Sequence, residues 1–158
     1  MDWAGWAVFG LISTTVLTGL MICAQLGGLS RLDLPLILGT VVTPDPDRAR
    51  AAGFMIHLVV GQGFALGYAM CFAVLGQATW WLGALFGALH GAVALVVLVP
   101  LLVGIHPRMA SNRAGLESTA VLEPPGLLGL NYGSQTPLVT FAVHVAYGTA
   151  LGMLLVAH

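Results

Sequence analysis

Gly53-Phe54-Met55-Ile56-His57-Leu58-Val59-Val60-Gly61 is the stretch whose reading decides the fold. It lies inside an apolar run from Ala51 to Leu75, long enough to cross a bilayer, because about 20 helical residues span the hydrocarbon. Within that run Gly53, His57, Gly61 and Ala65 recur at every fourth position, so a helix places them on one stripe. Small residues on one stripe let a second helix approach closely, and the histidine among them then faces that partner. The pattern returns as Phe141-Ala142-Val143-His144-Val145-Ala146-Tyr147-Gly148, with the histidine again four residues before a glycine. An ionisable side chain within a span is costly and faces protein or a cavity, which makes it a site hypothesis by default.

Composition agrees with a membrane chain. Of 158 residues, 58% are hydrophobic and 7% charged, and the mean hydropathy is +0.96, well outside the range of soluble domains. The net charge of -1 and five arginines spread over two loops, with no lysine, exclude the basic stripe that a nucleic-acid backbone requires. Cys23 and Cys71 lie in different apolar segments without CxxC spacing, so they read as small buried hydrophobes rather than as a disulfide or a metal ribbon. No Gly-rich phosphate loop, GxSxG elbow or carboxylate pair is present, which leaves an enzyme reading without a catalytic group.

Working outward, the run from Trp3 to about Gly27 is a first span, with Trp3 and Trp6 placed as interfacial anchors. Its N-terminal end lacks the basic start of a signal peptide, so the segment is expected to remain as a helix. Ser13, Thr14 and Thr18 carry hydroxyls that can bond back to the helix's own carbonyls. Residues 28–50 form a loop in which Leu34 to Val42 is too short to span and reads as an interfacial or re-entrant piece. Thr43-Pro44-Asp45-Pro46-Asp47 combines a side-chain acceptor, a proline for the first turn and acidic groups for the positive dipole end, so the second helix is expected to begin near Pro46. Gly76 to Thr79 is so short a connection that the second and third spans must be antiparallel neighbours. The third span, 80–105, carries Gly83, Gly87, His90 and Gly91, with Pro100 set to disturb its regular pattern. After the loop 106–136, rich in Pro, Gly, Ser and Asn, the fourth span covers 137–157 with His144, Gly148 and Gly152 on one stripe.

The expected fold is therefore all-α: four transmembrane helices in an up-and-down bundle forming one transmembrane domain, with two large loops. All five arginines fall in those two loops, so the positive-inside rule places both loops in the cytoplasm and both termini outside. A helical rise of about 1.5 Å per residue then puts His57 about 9 Å and His144 about 10 to 12 Å from the cytoplasmic boundary, with His90 a layer deeper at about 20 Å. In such a bundle the second and fourth helices are diagonal and the third touches both. His57 and His144 could face each other there, the arrangement that a bis-histidine haem or a transition-metal site would use. A second polar group is expected at the cytoplasmic rim, made of His106, Arg108, Arg31, Asp33, Asn131 and Tyr132.

The motifs Arg31-x-Asp33-x-Pro35, Leu38-Gly39-Thr40, His57, Leu89-His90-Gly91, His106-Pro107-Arg108-Met109, Leu122-Glu123-Pro124-Pro125-Gly126, Asn131-Tyr132-Gly133 and His144-x-x-Tyr147-Gly148 together resemble a widespread family of small bacterial four-span membrane proteins. The resemblance covers most of the chain and implies a helical protein of the bacterial inner membrane. It transfers no catalytic residue.

Two functions compete on this reading. In the first, His57, His144 and His90 line an intramembrane site that binds or conducts a metal ion, a proton or a small solute. In the second, the chain is a non-catalytic accessory subunit of a larger membrane complex, respiratory or redox in character. Its histidines would then be interhelical hydrogen bonds, and its exposed Trp80, Trp81 and Phe86 would meet lipid or a partner, including a second copy of the chain.

Overall fold

The computed structural model describes residues 3–110 and 122–155. Arg113 and Glu117 of the long loop, and the last residues of the expected fourth span, lie outside them. The elements in order are α1 (Trp3–Leu26), α2 (Leu34–Gly39), α3 (Pro46–Leu75), α4 (Trp80–Val93), a π-helical turn (Ala94–Leu98), α5 (Val99–Ile105), a 3-10 segment (Leu127–Tyr132) and α6 (Thr136–Leu154). Four helices are long and apolar enough to cross a membrane: α1, α3, α4 continued through α5, and α6.

Local chemistry explains the boundaries. Asp45 caps α3 by accepting from Arg48 N at 2.8 Å, with Pro46 at the first helical position, as the sequence predicts. Gly76 ends α3 in the left-handed region at φ 68°, a conformation that L side chains rarely adopt. The disturbance expected of Pro100 is a π-helical turn just before it, from Ala94 to Leu98, in which Val99 N bonds Ala94 O. A proline lacks the backbone donor that a regular turn would use, and the helix widens here without ending.

The apolar piece after the first span is a real element. Asp33 Oδ1 accepts from Leu36 N at 2.9 Å and caps α2. This short helix lies directly on the start of α3: a Cβ added at Gly39 would meet Ala49 O, and one at Gly53 would meet Pro35 O, each at 1.7 Å. Only hydrogen at these two positions permits that backbone contact.

α1 packs on α3 and α6, and α6 packs on α4, whereas α3 and α4 have no close backbone seam. The expected neighbours α3 and α4 meet instead through rings: Phe64 on His90, Tyr68 on Phe86 and Phe72 on Phe86. Their glycines account for this. Gly63 and Gly67 of α3 have open space where a Cβ would be, while Gly83, Gly87 and Gly91 of α4 all turn to α6. The small residues of α4 are thus spent on the fourth span, leaving a side-chain-bridged cleft toward the second. Cys23 and Cys71 are both exposed, contrary to the expectation of burial, because they face away from these seams.

Candidate intramembrane site

The glycine stripe of α4 fixes the level of the histidines. Gly83 lies against Gly148, Gly87 against His144 and Gly91 against Phe141, while Gly152 meets Thr79. Continued along the helices, this register puts Thr136, the first residue of α6, opposite Leu95. About ten residues of the third span therefore extend past the start of the fourth, roughly 15 Å of helix. The connection before α6 folds back into that space, and its 3-10 segment packs on both the π turn and α5. His90 is consequently not a layer deeper than His144: the two rings meet edge to face with centroids 4.6 Å apart. The depth estimate failed because it started both helices at one plane.

His57 and His144 are buried, at 9% and 8% exposure, and neither faces lipid. His57 Nδ1 lies 2.9 Å from Thr18 Oγ1 on α1, and Thr18 donates its single hydroxyl proton to Thr14 O at 2.8 Å. The imidazole must therefore be the donor in the first contact, and His57 carries its proton on Nδ1. His144 Nδ1 lies 2.7 Å from Thr140 O, and a carbonyl only accepts, so His144 is the same tautomer. In both rings Nε2 is left as a bare lone pair. His90 is stacked on Phe64, with centroids 4.0 Å apart and planes at 29°, and its Nδ1 stands 3.4 Å from Tyr68 Oη.

The three imidazoles line one end of a cavity of about 260 Å³. Tyr147 and Thr140 line it with them, and Tyr147 donates its phenol proton to Gly61 O at 2.8 Å. Thr140 Oγ1 is buried and has no hydrogen-bond partner. Most other walls are apolar, among them Leu17, Ile37, Leu98 and Leu102, and the lining reaches Val60, Leu101 and Ile105 on the exposed surface. Threonines 18 and 140, Tyr147 and Phe64 were not singled out from the sequence as site residues. The available signals were the i+3 spacing of Tyr147 from His144 and the i+4 spacing of Thr14 and Thr18, which matches that of Gly61 and His57 across the seam.

The cofactor expectations can be tested on this geometry. Among the described residues, no three His, Cys, Asp or Glu side chains converge as a metal site requires. His57 and His144 as a metal-binding pair would supply two of the four ligands of a typical zinc site.

The rim residues fasten the loops. His106 Nε2 donates to Ile37 O at 2.9 Å and its Nδ1 accepts from Arg108 N at 3.1 Å, so both ring nitrogens are used. Arg108 Nη1 donates to Thr40 O and Val41 O, where α2 ends. Asp33 Oδ2 accepts from Arg50 Nε at 2.9 Å. Arg31 reaches Asn131 O at 2.5 Å, Asn131 Nδ2 donates to Pro124 O at 2.9 Å, and Tyr132 donates to Glu123 O. Burial, reinforced by Glu123 and opposed by Arg31, pushes the Tyr132 phenol up to about 12.

Compared with family profiles, curated proteins and solved structures, the chain matches none. Its function is therefore argued from the site alone.

Proposed function

We propose that this is an integral protein of the bacterial inner membrane that binds a small lipid-soluble molecule in the histidine-lined cavity. In this reading it crosses the bilayer four times in alternating directions, with the arginine-bearing loops in the cytoplasm and both termini outside, and belongs with the small four-span proteins its motifs resemble. The observation that carries the reading is the cavity's polarity: apolar walls reaching the exposed surface, and at the other end three imidazoles with an unpartnered Thr140 hydroxyl. Ligand sites are generally mostly apolar, with a few polar groups that fix orientation. A molecule dissolved in the bilayer reaches such a site sideways.

The accessory-subunit reading draws support from one contact, the His57–Thr18 bond between α3 and α1. It leaves the free Nε2 atoms and Thr140 without a purpose. Solvent extraction and mass spectrometry of detergent-purified protein, together with an optical spectrum and elemental analysis, separate the readings. An apolar small molecule near one per chain is expected, and it should be lost in Leu102→Trp, which fills the cavity. A stoichiometric metal or a Soret band overturns the reading. So does an empty protein whose His57→Ala and His144→Ala variants change only in stability.

A further inference from the structure

We infer that the cavity selects a molecule whose polar end is a hydroxyl on an apolar body, an alcohol or a phenol, over the carbonyl compound of the same body. The inference rests on the binding reading above and concerns which proton-bearing groups the site offers.

Nearly every hydroxyl proton around the histidines is already committed. Thr14 donates to Gly10 O, Thr18 to Thr14 O and Tyr147 to Gly61 O, each at 2.8 Å. The Thr18 bond leaves its oxygen as the acceptor of the His57 Nδ1 proton, and the Thr140 carbonyl accepts the Nδ1 proton of His144. What His57 and His144 leave for a ligand is two Nε2 lone pairs. Thr140 has the one cavity hydroxyl among the described residues with no partner, and it is 3% exposed. His90, whose Nδ1 faces the Tyr68 hydroxyl, closes the same end.

A hydroxyl satisfies this set in both directions: it donates to an imidazole Nε2 and accepts from Thr140. A carbonyl accepts from Thr140 but offers nothing to the imidazoles, and it brings its own lone pairs against theirs. Buried acceptors left without a donor are costly, and sites built to hydrogen-bond a hydroxyl reject the analogue that lacks it far more strongly than apolar pockets reject an extra methylene. The apolar walls give no such discrimination, so the preference resides in the tautomers of His57 and His144.

The test uses the full chain in lipid nanodiscs with octylcyclohexanol and octylcyclohexanone, which differ by two hydrogens. Binding is read as partition into protein-loaded against empty discs. The alcohol should bind at least about tenfold more tightly than the ketone, and the preference should fall below about threefold in His144→Leu and in His57→Leu. Equal binding of alcohol and ketone overturns the hydroxyl selection while leaving the cavity reading intact. Failure of both to exceed empty discs removes the cavity reading itself. Should the leucine variants not fold, nitrogen NMR of the histidine-labelled wild-type protein decides the matter. Two neutral Nδ1-protonated imidazoles whose Nε2 resonances move with the alcohol and not the ketone support the inference. Nε2 protonation of His57 or His144 overturns it, His106 being the ring that carries its proton on Nε2 in the fold.

Discussion

Gly148→Ala should loosen the bundle at the α4–α6 seam. A Cβ at position 148 would stand 2.2 Å from Gly83 O and 2.8 Å from Gly87 Cα and N. These are backbone atoms on a facing helix, and no rotamer can move them aside. To restore an ordinary contact of 3.4 Å, α4 and α6 must part locally by about 1.2 Å, a gap large enough to forfeit a quarter to a half of the dispersion energy of the atoms along it. Overpacking of this kind costs about 1–3 kcal/mol, here at the upper end because all three atoms met are backbone. At 2–4 °C per kcal/mol for a chain of this size, the apparent melting temperature in detergent should fall by about 4–12 °C. The control is Gly63→Ala, where a Cβ meets nothing within 4 Å and the exchange should be neutral or stabilising by about 0.5–1 kcal/mol. If the two variants melt together, the α4–α6 seam is not close-packed and the levels assigned to the histidines lose their basis.

Thr18→Val removes the acceptor of the His57 Nδ1 proton and should cost about 1–3 kcal/mol; unchanged melting, with His57 still Nδ1-protonated by nitrogen NMR, would show that the Thr18 hydroxyl does not hold that proton. Asp33→Ala should cost about 1 kcal/mol through loss of the α2 cap, whereas Asp33→Asn keeps the cap and loses only the partly exposed pair with Arg50, worth a few tenths. Equal losses in the two variants would show that the cap contributes nothing. For Tyr132 the folded pKa, about 12, lies above the unfolded value, so the folded state keeps a proton that the unfolded chain releases. That stability is complete below about pH 10 and is lost as pH rises toward 12. Alkaline denaturation of Tyr132→Phe should lack this component, and identical profiles would speak against it.

The helix starts and the packing stripes were legible because each rests on residues close in sequence. Asp45-Pro46 caps α3, and the four-residue spacing of Gly53, His57 and Gly61 needs nothing beyond the helix itself. The level of His90 was not legible, because it depends on how far α6 starts below the end of α5, and that offset is set by where the 3-10 segment packs. Nor could the sequence say that Gly83, Gly87 and Gly91 serve α6 rather than α3, since a small-residue stripe fits either partner. The rim residues look like a binding cluster in sequence because they are polar and share loops, yet their hydrogen bonds go to backbone carbonyls, amides, the Thr40 hydroxyl or an oppositely charged neighbour.

The recessed start of α6 bears on where the chain tolerates extra length. Surface loops usually accept insertions with little penalty, but the turn before α6 runs beside a span, with Leu127 and Leu130 exposed at 74% and 45%. Backbone at membrane depth survives only where protein satisfies it. Here Arg31 N donates to Tyr132 O, Asn131 N to Pro125 O, and the Ser30 and Thr136 hydroxyls hydrogen-bond to each other. With the spans crossing a bilayer as proposed, a tag placed in this turn would put unpaired amides against hydrocarbon. The same tag between Gly76 and Gln77, both exposed, would sit where water supplies the missing partners.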